Sequence, residues 1–296
     1  MNFILTTDTA CDERKGTLDE LRIPWIPLTY MIKNEVFADD FSSDAQYQEF
    51  YAKLAAGAMP TTSQITPHAH EEFFESVFTK RKINAIIHLS LSGGLSDTAN
   101  CAKLGAENYM KRNPNAKIYC VDTLSATQGH NLLLYGALKM RDQGFAAEKA
   151  YAELEKLKSK VQAWFMVDNL YHLKRGGRVS GASAAIGTIL NIKPILIIDR
   201  EGKLSVIKKE KGVNKTVNFF LETIRKYKTD ETDEFFIVHA NAHKSAELLK
   251  ERIEKELPFA KVRIGWLGPI IGAHCGSGMF GLTFIGKDKK ELPIRL

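Results

Sequence analysis

Short apolar runs alternate with amphipathic stretches over the first half of the chain. The runs at Phe3–Thr6, from Ile83 onward and at Lys117–Val121 are rich in aliphatic residues, which favours buried strands. Between and after them, apolar residues recur at helical spacing, as in the segment from Thr127 to Arg141. This alternation predicts a mainly parallel sheet with helices on both faces.

The order of elements changes in the second half, and we expect two α/β domains, 1–160 and 161–296. Ile192–Asp199 and Lys203–Lys209 predict a hairpin. The small residues of Ser180–Leu190 predict a helix that another group can approach closely. Further strands and helices follow, so we expect a mixed sheet with helices in the second domain. The last segment is free to pack back on the first domain.

The composition is that of a globular protein with a sizeable core. The chain has 296 residues, of which 44% are hydrophobic and 26% charged, and no apolar run reaches the length of a membrane span. The start of the sequence lacks the features of a signal peptide, so we expect a cytoplasmic protein. Its four cysteines are far apart, and its net charge of +6 is scattered, so neither a metal site nor nucleic-acid binding is predicted.

Hydroxyl side chains cluster where the predicted strands end. Such clusters occur at Thr6–Thr9, Ser90–Ser96 and Thr123–Thr127, and another fills the loop Thr61–Thr66. Because ligands bind beyond the carboxyl ends of parallel strands, these clusters predict a lined pocket. The alternative is that the serines and threonines only cap helices.

The second of these clusters predicts an anion site. Gly93-Gly94 lies in the turn after the strand, and Ser96-Asp97-Thr98 reads as a helix start. Backbone N–H groups, the positive helix end and serine hydroxyls converge there, and we interpret the turn as the holder of a carboxylate head group. An ordinary strand-to-helix connection that binds nothing is the alternative.

Three catalytic or cofactor motifs would indicate another function: a dinucleotide-binding motif, a P-loop and a serine–histidine pair. Gly276–Gly281 matches G-x-G-x-x-G, but an apolar, strand-like run follows it where a dinucleotide-binding helix is needed, and no P-loop is present. Ser92 or Ser96 with His274 could form the nucleophile and base of a hydrolase or transferase acting on a small acyl substrate. Neither serine lies in a G-x-S-x-G elbow, yet this function remains the alternative to binding.

Several motifs then fall in one order along nearly the whole chain, and together they resemble the DegV family of bacterial fatty-acid-binding proteins. The motifs are Thr62-Ser63-Gln64, Leu95-Ser96-Asp97-Thr98, Lys174-Arg175-Gly176-Gly177-Arg178-Val179-Ser180-Gly181-Ala182-Ser183, Leu190-Asn191-Ile192-Lys193-Pro194-Ile195-Leu196 and Gly268-Pro269-Ile270-Ile271-Gly272-Ala273-His274.

The resemblance implies two α/β domains with a lipid tunnel between or beside them. It implies a non-catalytic protein without cofactor or metal, which binds a long-chain fatty acid and presents the carboxylate to a separate kinase subunit, as the FakB subunit of fatty acid kinase does. Transient contact with a membrane surface is compatible with this function. The carboxylate ligands implied are Thr62, Ser63, Ser92, Ser96 and His274. Arg175 and Arg178 match a region linked in the family to kinase docking.

The sequence departs from the family pattern at the serine turn. Ser90 and Ser92 are separated by a leucine, the turn is one residue longer than the family pattern, and Asp97 replaces the usual glycine. Both Ser92 and Ser96 therefore stay open as carboxylate ligands. The tail should dominate affinity, since about 15 methylene groups at about 0.8 kcal/mol each give on the order of 10 kcal/mol before ordering costs. A charged hydrogen bond adds only about 1.5–3 kcal/mol.

Overall fold

The computed structural model describes residues 2–40, 43–81, 83–179 and 192–293, and within them the chain forms two α/β domains. The strands are β1 (Ile4–Asp8), β2 (Trp25–Ile26), β3 (Thr29–Ile32), β4 (Glu35–Ala38), β5 (Thr61–Ser63), β6 (Ala85–Ser90), β7 (Lys117–Asp122), β8 (Val161–Met166), β9 (Ile192–Ile198), β10 (Leu204–Lys211), β11 (Glu234–His239), β12 (Lys261–Trp266) and β13 (Phe280–Ile285). The helices are α1 (Lys15–Glu20), α2 (Asp44–Ala55), α3 (Pro67–Lys80), α4 (Thr98–Arg112), α5 (Thr127–Asp142), α6 (Ala147–Leu157), α7 (Tyr171–Arg175), α8 (Gly212–Tyr227), α9 (His243–Glu256) and α10 (Pro269–Cys275). The helix predicted at Ser180–Leu190 lies outside the described residues.

The first domain is built on a four-stranded parallel sheet in the order β2-β1-β6-β7, as the sequence predicts. Alternate residues of each strand point to opposite faces. On one face Ile4 and Ile86 pack against α3 and α4, and on the other Leu5 and Ile87 pack with residues of α5 and α6. Both faces are therefore covered, which explains the continuous apolar runs of these strands.

The second domain is built on a six-stranded mixed sheet in the order β10-β9-β8-β13-β11-β12. The predicted hairpin of β9 and β10 is confirmed, and β11 and β12 are the parallel pair. Trp164 and Met166 face α8 and α9 on the outer side, whereas Ala163 and Phe165 face the first domain. The run after Gly276–Met279 is strand β13, so the rejected dinucleotide motif indeed lacks its helix.

Helix α5 lies between the two sheets. It contacts β1 and β6 of the first sheet and β8, β11 and β13 of the second. Its first eight residues, from Thr127 to Leu134, are all buried. The first domain thus supplies the layer on which the second domain packs, and α5 is the element that both share.

A small antiparallel sheet in the order β4-β3-β5 extends the first domain toward α10. The sequence predicts only a loop between Pro60 and Pro67, but Thr61–Ser63 form β5 because their backbone pairs with β3, with Thr62 opposite Tyr30. Such pairing is a tertiary contact that local composition does not encode. It fixes the position of Thr62 against α10, which contacts β3 and β5.

Two side-chain contacts tie the domains together near the turn between β9 and β10. The Ser92 hydroxyl donates to the Gly202 carbonyl oxygen at 2.8 Å, and the Lys289 ammonium donates to the Leu124 carbonyl oxygen at 2.5 Å. Burial lowers the pKa of Lys289 to about 8. The last segment of the chain therefore does contact the first domain. Within the described residues, no helix is both long and apolar enough to cross a bilayer.

Candidate ligand-binding site

A cavity of about 190 Å³ lies between the two domains. Its wall comes from the turn after β6, from β5, from the inner face of the second sheet and from α7 and α10. Most of this wall is apolar and belongs to one hydrophobic cluster that spans both domains. Apolar lining residues include Leu28, Leu91, Leu95, Phe165, Leu173, Ile198, Leu204, Val238, Ile270 and Met279.

Polar side chains gather at one end of the cavity. They are Thr62, Ser63, Gln64, Ser96, Asp97, Arg178 and His274. Residues predicted from three distant parts of the sequence are therefore brought together by the fold. The result is an amphipathic cavity, with a mostly apolar wall and this cluster of hydrogen-bonding side chains at one end; Thr127 and Thr283 are the other hydroxyl residues of the wall.

The contact between Thr62 and His274 anchors this end. Thr62 Oγ1 lies 2.8 Å from His274 Nε2, and the two residues reach each other because α10 packs on β5. Burial, together with the nearby guanidinium groups of Arg178 and Arg175, lowers the pKa of His274 to about 4. The imidazole is therefore neutral at pH 7, with one ring nitrogen donating a hydrogen bond and the other accepting one.

The two arginines predicted to dock a partner have different positions. Arg178 is half-buried and lines the cavity, its Nε donates to the Leu95 carbonyl oxygen at 3.1 Å, and burial lowers its pKa. Arg175 is exposed and donates to the carbonyl oxygens of Pro60 at 3.0 Å and Ala273 at 3.5 Å. Neither guanidinium forms a salt bridge within the described residues.

The two candidate serines also differ. Ser96 lines the cavity, and its hydroxyl accepts from the Thr98 N–H at 3.3 Å at the start of α4, which confirms the predicted helix start. Ser92 is fully buried and does not line the cavity, and its hydroxyl donates to the Gly202 carbonyl oxygen. The geometry thus separates a serine at the polar end from a serine that joins the domains.

No serine hydroxyl of the described residues is hydrogen-bonded to His274. The Ser96 hydroxyl instead lies 2.9 Å from Thr98 Oγ1, and His274 is paired with Thr62. A hydrolase needs a base within hydrogen-bonding reach of its nucleophile. The geometry therefore gives the hydrolase or transferase alternative no support.

The hydroxyl cluster at Thr6–Thr9 was wrongly predicted to line the pocket. Thr6 Oγ1 lies 2.9 Å from His88 Nδ1, and Thr7 Oγ1 lies 2.9 Å from His130 Nε2, with all four residues fully buried. These hydroxyls satisfy buried imidazoles in the core. This pairing has no local signal in the sequence, because the histidines come from β6 and α5, far from β1 in the chain.

Some lining residues had no sequence signal. Gln64 and Asp97 belong to motifs that predict no ligand contact for them, and Thr283 lies in an apolar strand. The strands of the second sheet also supply much of the wall, although their pattern indicates no more than burial. Only the packing of one domain on the other turns their inner face into a cavity wall.

The fold and the cavity define a two-domain α/β binding protein with one amphipathic site between its domains. Comparison with known proteins gives its family: residues 2–287 match the model of the DegV family, described as uncharacterised proteins, and the chain belongs to this family. A DegV domain-containing protein of Clostridium perfringens is 36% identical over 290 residues, which cover 98% of this chain and 99% of the relative.

Two solved structures are similar over almost the whole chain. DegV of Bacillus subtilis, described as a fatty acid binding protein, has 27% identity and a TM-score of 0.82 and covers 97% of this chain and 100% of its own. The fatty acid kinase B3 protein of Streptococcus pneumoniae, solved with linoleic acid, has 22% identity and a TM-score of 0.82 with the same coverage. The second similarity bears on the fold alone.

Proposed function

We propose that this protein binds a long-chain fatty acid in the cavity between its domains. The observation that carries the proposal is the amphipathic lining, apolar over most of its length and closed at one end by the Thr62–His274 pair. Water is displaced from the apolar wall by the acyl tail, which supplies most of the affinity. The fatty-acid-binding description of the Bacillus subtilis relative supports the same ligand.

The polar end offers hydrogen bonds to a carboxylate. The hydroxyls of Thr62, Ser63 and Ser96 are donors, and the neutral His274 imidazole fixes the direction in which the Thr62 hydroxyl points. Arg178 adds positive charge at the same end. In this arrangement Ser92 holds the turn after β6, which carries Ser96, against Gly202 and so acts on the ligand only indirectly.

The second part of the proposal is that the bound acid is presented to a separate kinase subunit and is not turned over by this chain. Ser63, Asp97 and Arg175 are exposed beside the polar end, so a partner has access to it, whereas the tail lies in the interior. Arg175 and Arg178 border the surface at which such a partner docks. We place the protein in the cytoplasm, in line with four free thiols.

The binding proposal is tested with the full chain. Native mass spectrometry of protein purified from cells should show a bound fatty acid, and delipidated protein should take up added palmitic or oleic acid. The matching fatty alcohol serves as the control, because it keeps the tail and lacks the carboxylate. A ligand-free spectrum together with no uptake of either acid would overturn the proposal.

Presentation to a kinase needs a separate assay. Loaded protein is incubated with ATP and a fatty acid kinase catalytic subunit, and acyl phosphate is measured. The expected result is acyl phosphate only when both proteins are present. Acyl phosphate formed by this chain alone, or none with the subunit although the acid is bound, would contradict the second part of the proposal.

A further inference from the structure

The inner end of the cavity, away from the Thr62–His274 pair, is also polar. Strand β13 begins close to α10 and runs inward, with Met279, Gly281 and Thr283 on the wall. Met279 and Thr283 are four residues apart, or about 13 Å along an extended strand. Thr283 pairs with Ala163, which also lines the cavity. A second hydroxyl group thus lies deep in the tail-binding region.

The first turn of α5 closes this inner end. Ala126 and Thr127 line the cavity, and the side chain of Thr283 is 3.3 Å from the place where a Cβ on Gly129 would lie. No side chain caps this 16-residue helix, because its N-cap residue is Ala126. The positive end of this helix is therefore buried, and it borders the cavity through Thr127.

An unpartnered hydroxyl points to the same turn. Ser125 is completely buried, and its Oγ has no hydrogen-bond partner among the described residues. That oxygen occupies the space that a Cβ on Gly129 would fill, so it packs against the first turn of α5. Buried polar groups are normally satisfied, and this unsatisfied hydroxyl directly precedes Ala126 and Thr127, the two residues of the turn that line the cavity.

We infer that the inner end is a subsite for an oxygen atom carried by the acyl chain, so that the preferred ligands are fatty acids with a hydroxyl or oxo group distant from the carboxylate. This inference rests on the proposed function and adds a substrate class to it. The hydroxyl groups of Thr127 and Thr283 would donate to that oxygen, which the positive end of α5 also favours. A purely hydrocarbon tail leaves these groups dry and unpaired, which costs free energy.

The test compares stearic acid with hydroxystearic and oxostearic acids whose oxygen lies at mid-chain or near the tail end. Dissociation constants are measured by displacement of a fluorescent fatty acid from the delipidated full chain. Thr283→Val removes the hydroxyl and keeps the shape. It should reduce the preference for the best oxygenated acid over stearic acid by about fivefold to tenfold, as expected for one hydrogen bond.

Thr223→Val is the matched control, because Thr223 is also buried but donates to the Phe219 carbonyl oxygen on α8, away from the cavity. It should leave the preference unchanged. Thr127→Val gives a second route to the answer if Thr283→Val does not fold, because Thr127 also lines the cavity, and it should shift the preference in the same direction. Equal binding of stearic and oxygenated acids, or a preference that neither variant changes, would overturn the inference while fatty acid binding stands. Failure of every acid to bind would overturn both.

Discussion

At the scale of single residues, buried polar groups determine the shape of the polar end. Asp8 is fully buried at the end of β1, and its carboxylate accepts hydrogen bonds from the N–H groups of Leu91 at 2.8 Å and Ala10 at 3.0 Å. Leu91 opens the turn that carries Ser96. Burial raises the pKa of Asp8 to about 7, with His130, Cys11 and Asp12 as the titratable neighbours.

Asp8→Asn should change how stability depends on pH. Because the folded-state pKa of Asp8 lies above its unfolded value of 3.8, its contribution to stability is present below about pH 4 and is lost as pH rises through 7. Between pH 5 and 7, the free energy of unfolding of the native protein should therefore fall by about 1.4 kcal/mol per pH unit relative to that of the variant. Above pH 7 the difference should change little. Urea unfolding of both proteins at each pH measures this difference.

The control for Asp8 is Asp230→Asn, because Asp230 is fully exposed. This variant removes an exposed carboxyl and is the reference for the loss of a buried one. A stability difference for Asp8→Asn that stays constant from pH 4 to 7 would mean that the Asp8 carboxyl is ionised normally in the folded protein.

Thr62→Val should separate positioning from affinity. The variant keeps the shape of the side chain but removes the hydroxyl that contacts His274, so the carboxylate loses its fixed orientation. The acyl tail still supplies most of the binding energy. We expect phosphorylation of the bound acid by the kinase subunit to slow far more than the dissociation constant rises.

The matched control is Thr61→Val, since Thr61 is the exposed neighbour on β5 and does not line the cavity. This variant should bind the acid as the native protein does, and the kinase subunit should phosphorylate the acid bound to it at the native rate. A large loss of affinity in Thr62→Val, with an unchanged phosphorylation rate for acid that does bind, would reverse the proposed division of labour.

At the scale of elements, side-chain caps decide where several helices begin. Thr66 is the N-cap of α3 and its hydroxyl accepts from the Ala69 N–H at 3.2 Å, with Pro67 in the first turn. Ser43 and Gln46 form the capping box of α2. The Thr66 cap sets the end of the segment 56–66, which contains β5 and Thr62.

Thr66→Ala should lower the free energy of unfolding by about 1 kcal/mol, the usual cost of a lost N-cap. Thr79→Ala is the control within the same helix, because the Thr79 hydroxyl only donates to the Glu75 carbonyl oxygen on an exposed face. It should have little effect. Chemical denaturation of both variants tests the prediction. An equal loss of stability in both would show that the N-cap contributes no more than the hydrogen bond of Thr79.

Much of the fold could be predicted at this scale, whereas the site could be predicted only in part. The strands of the first sheet, the β9–β10 hairpin and the start of α4 follow from apolar runs and caps that lie within short windows of sequence. β5 and the Thr6–His88 and Thr7–His130 pairs depend on residues that are far apart in the chain. Family resemblance supplied Thr62 and His274, but it could not distinguish Ser92 from Ser96 in a turn that departs from the pattern.

At the scale of the whole molecule, the cavity belongs to the core. Its wall includes Leu28 and Leu91 of the first domain and Phe165 and Val238 of the second, all within one hydrophobic cluster. A bound tail therefore touches both domains, and its removal weakens the packing of one on the other. Ligand that binds only the folded state stabilises it by mass action.

Removal of the lipid should lower stability in a way that depends on ligand concentration. At a free fatty acid concentration of about 100 times Kd, the loaded protein should be about 2.7 kcal/mol more stable than the delipidated protein. Thermal unfolding with increasing oleic acid, below its micellar range, measures the shift. Oleyl alcohol should stabilise less, and identical unfolding with and without acid would contradict a binding site in the core.

The position of the cavity in the core also has a consequence for the life of the protein in its host. A chain with an empty interior opens more often, and proteases cleave opened chains. Starvation for acyl chains should thus shorten its half-life, and abundant supply should prolong it. The cellular concentration of this protein would then rise and fall with the supply of fatty acid.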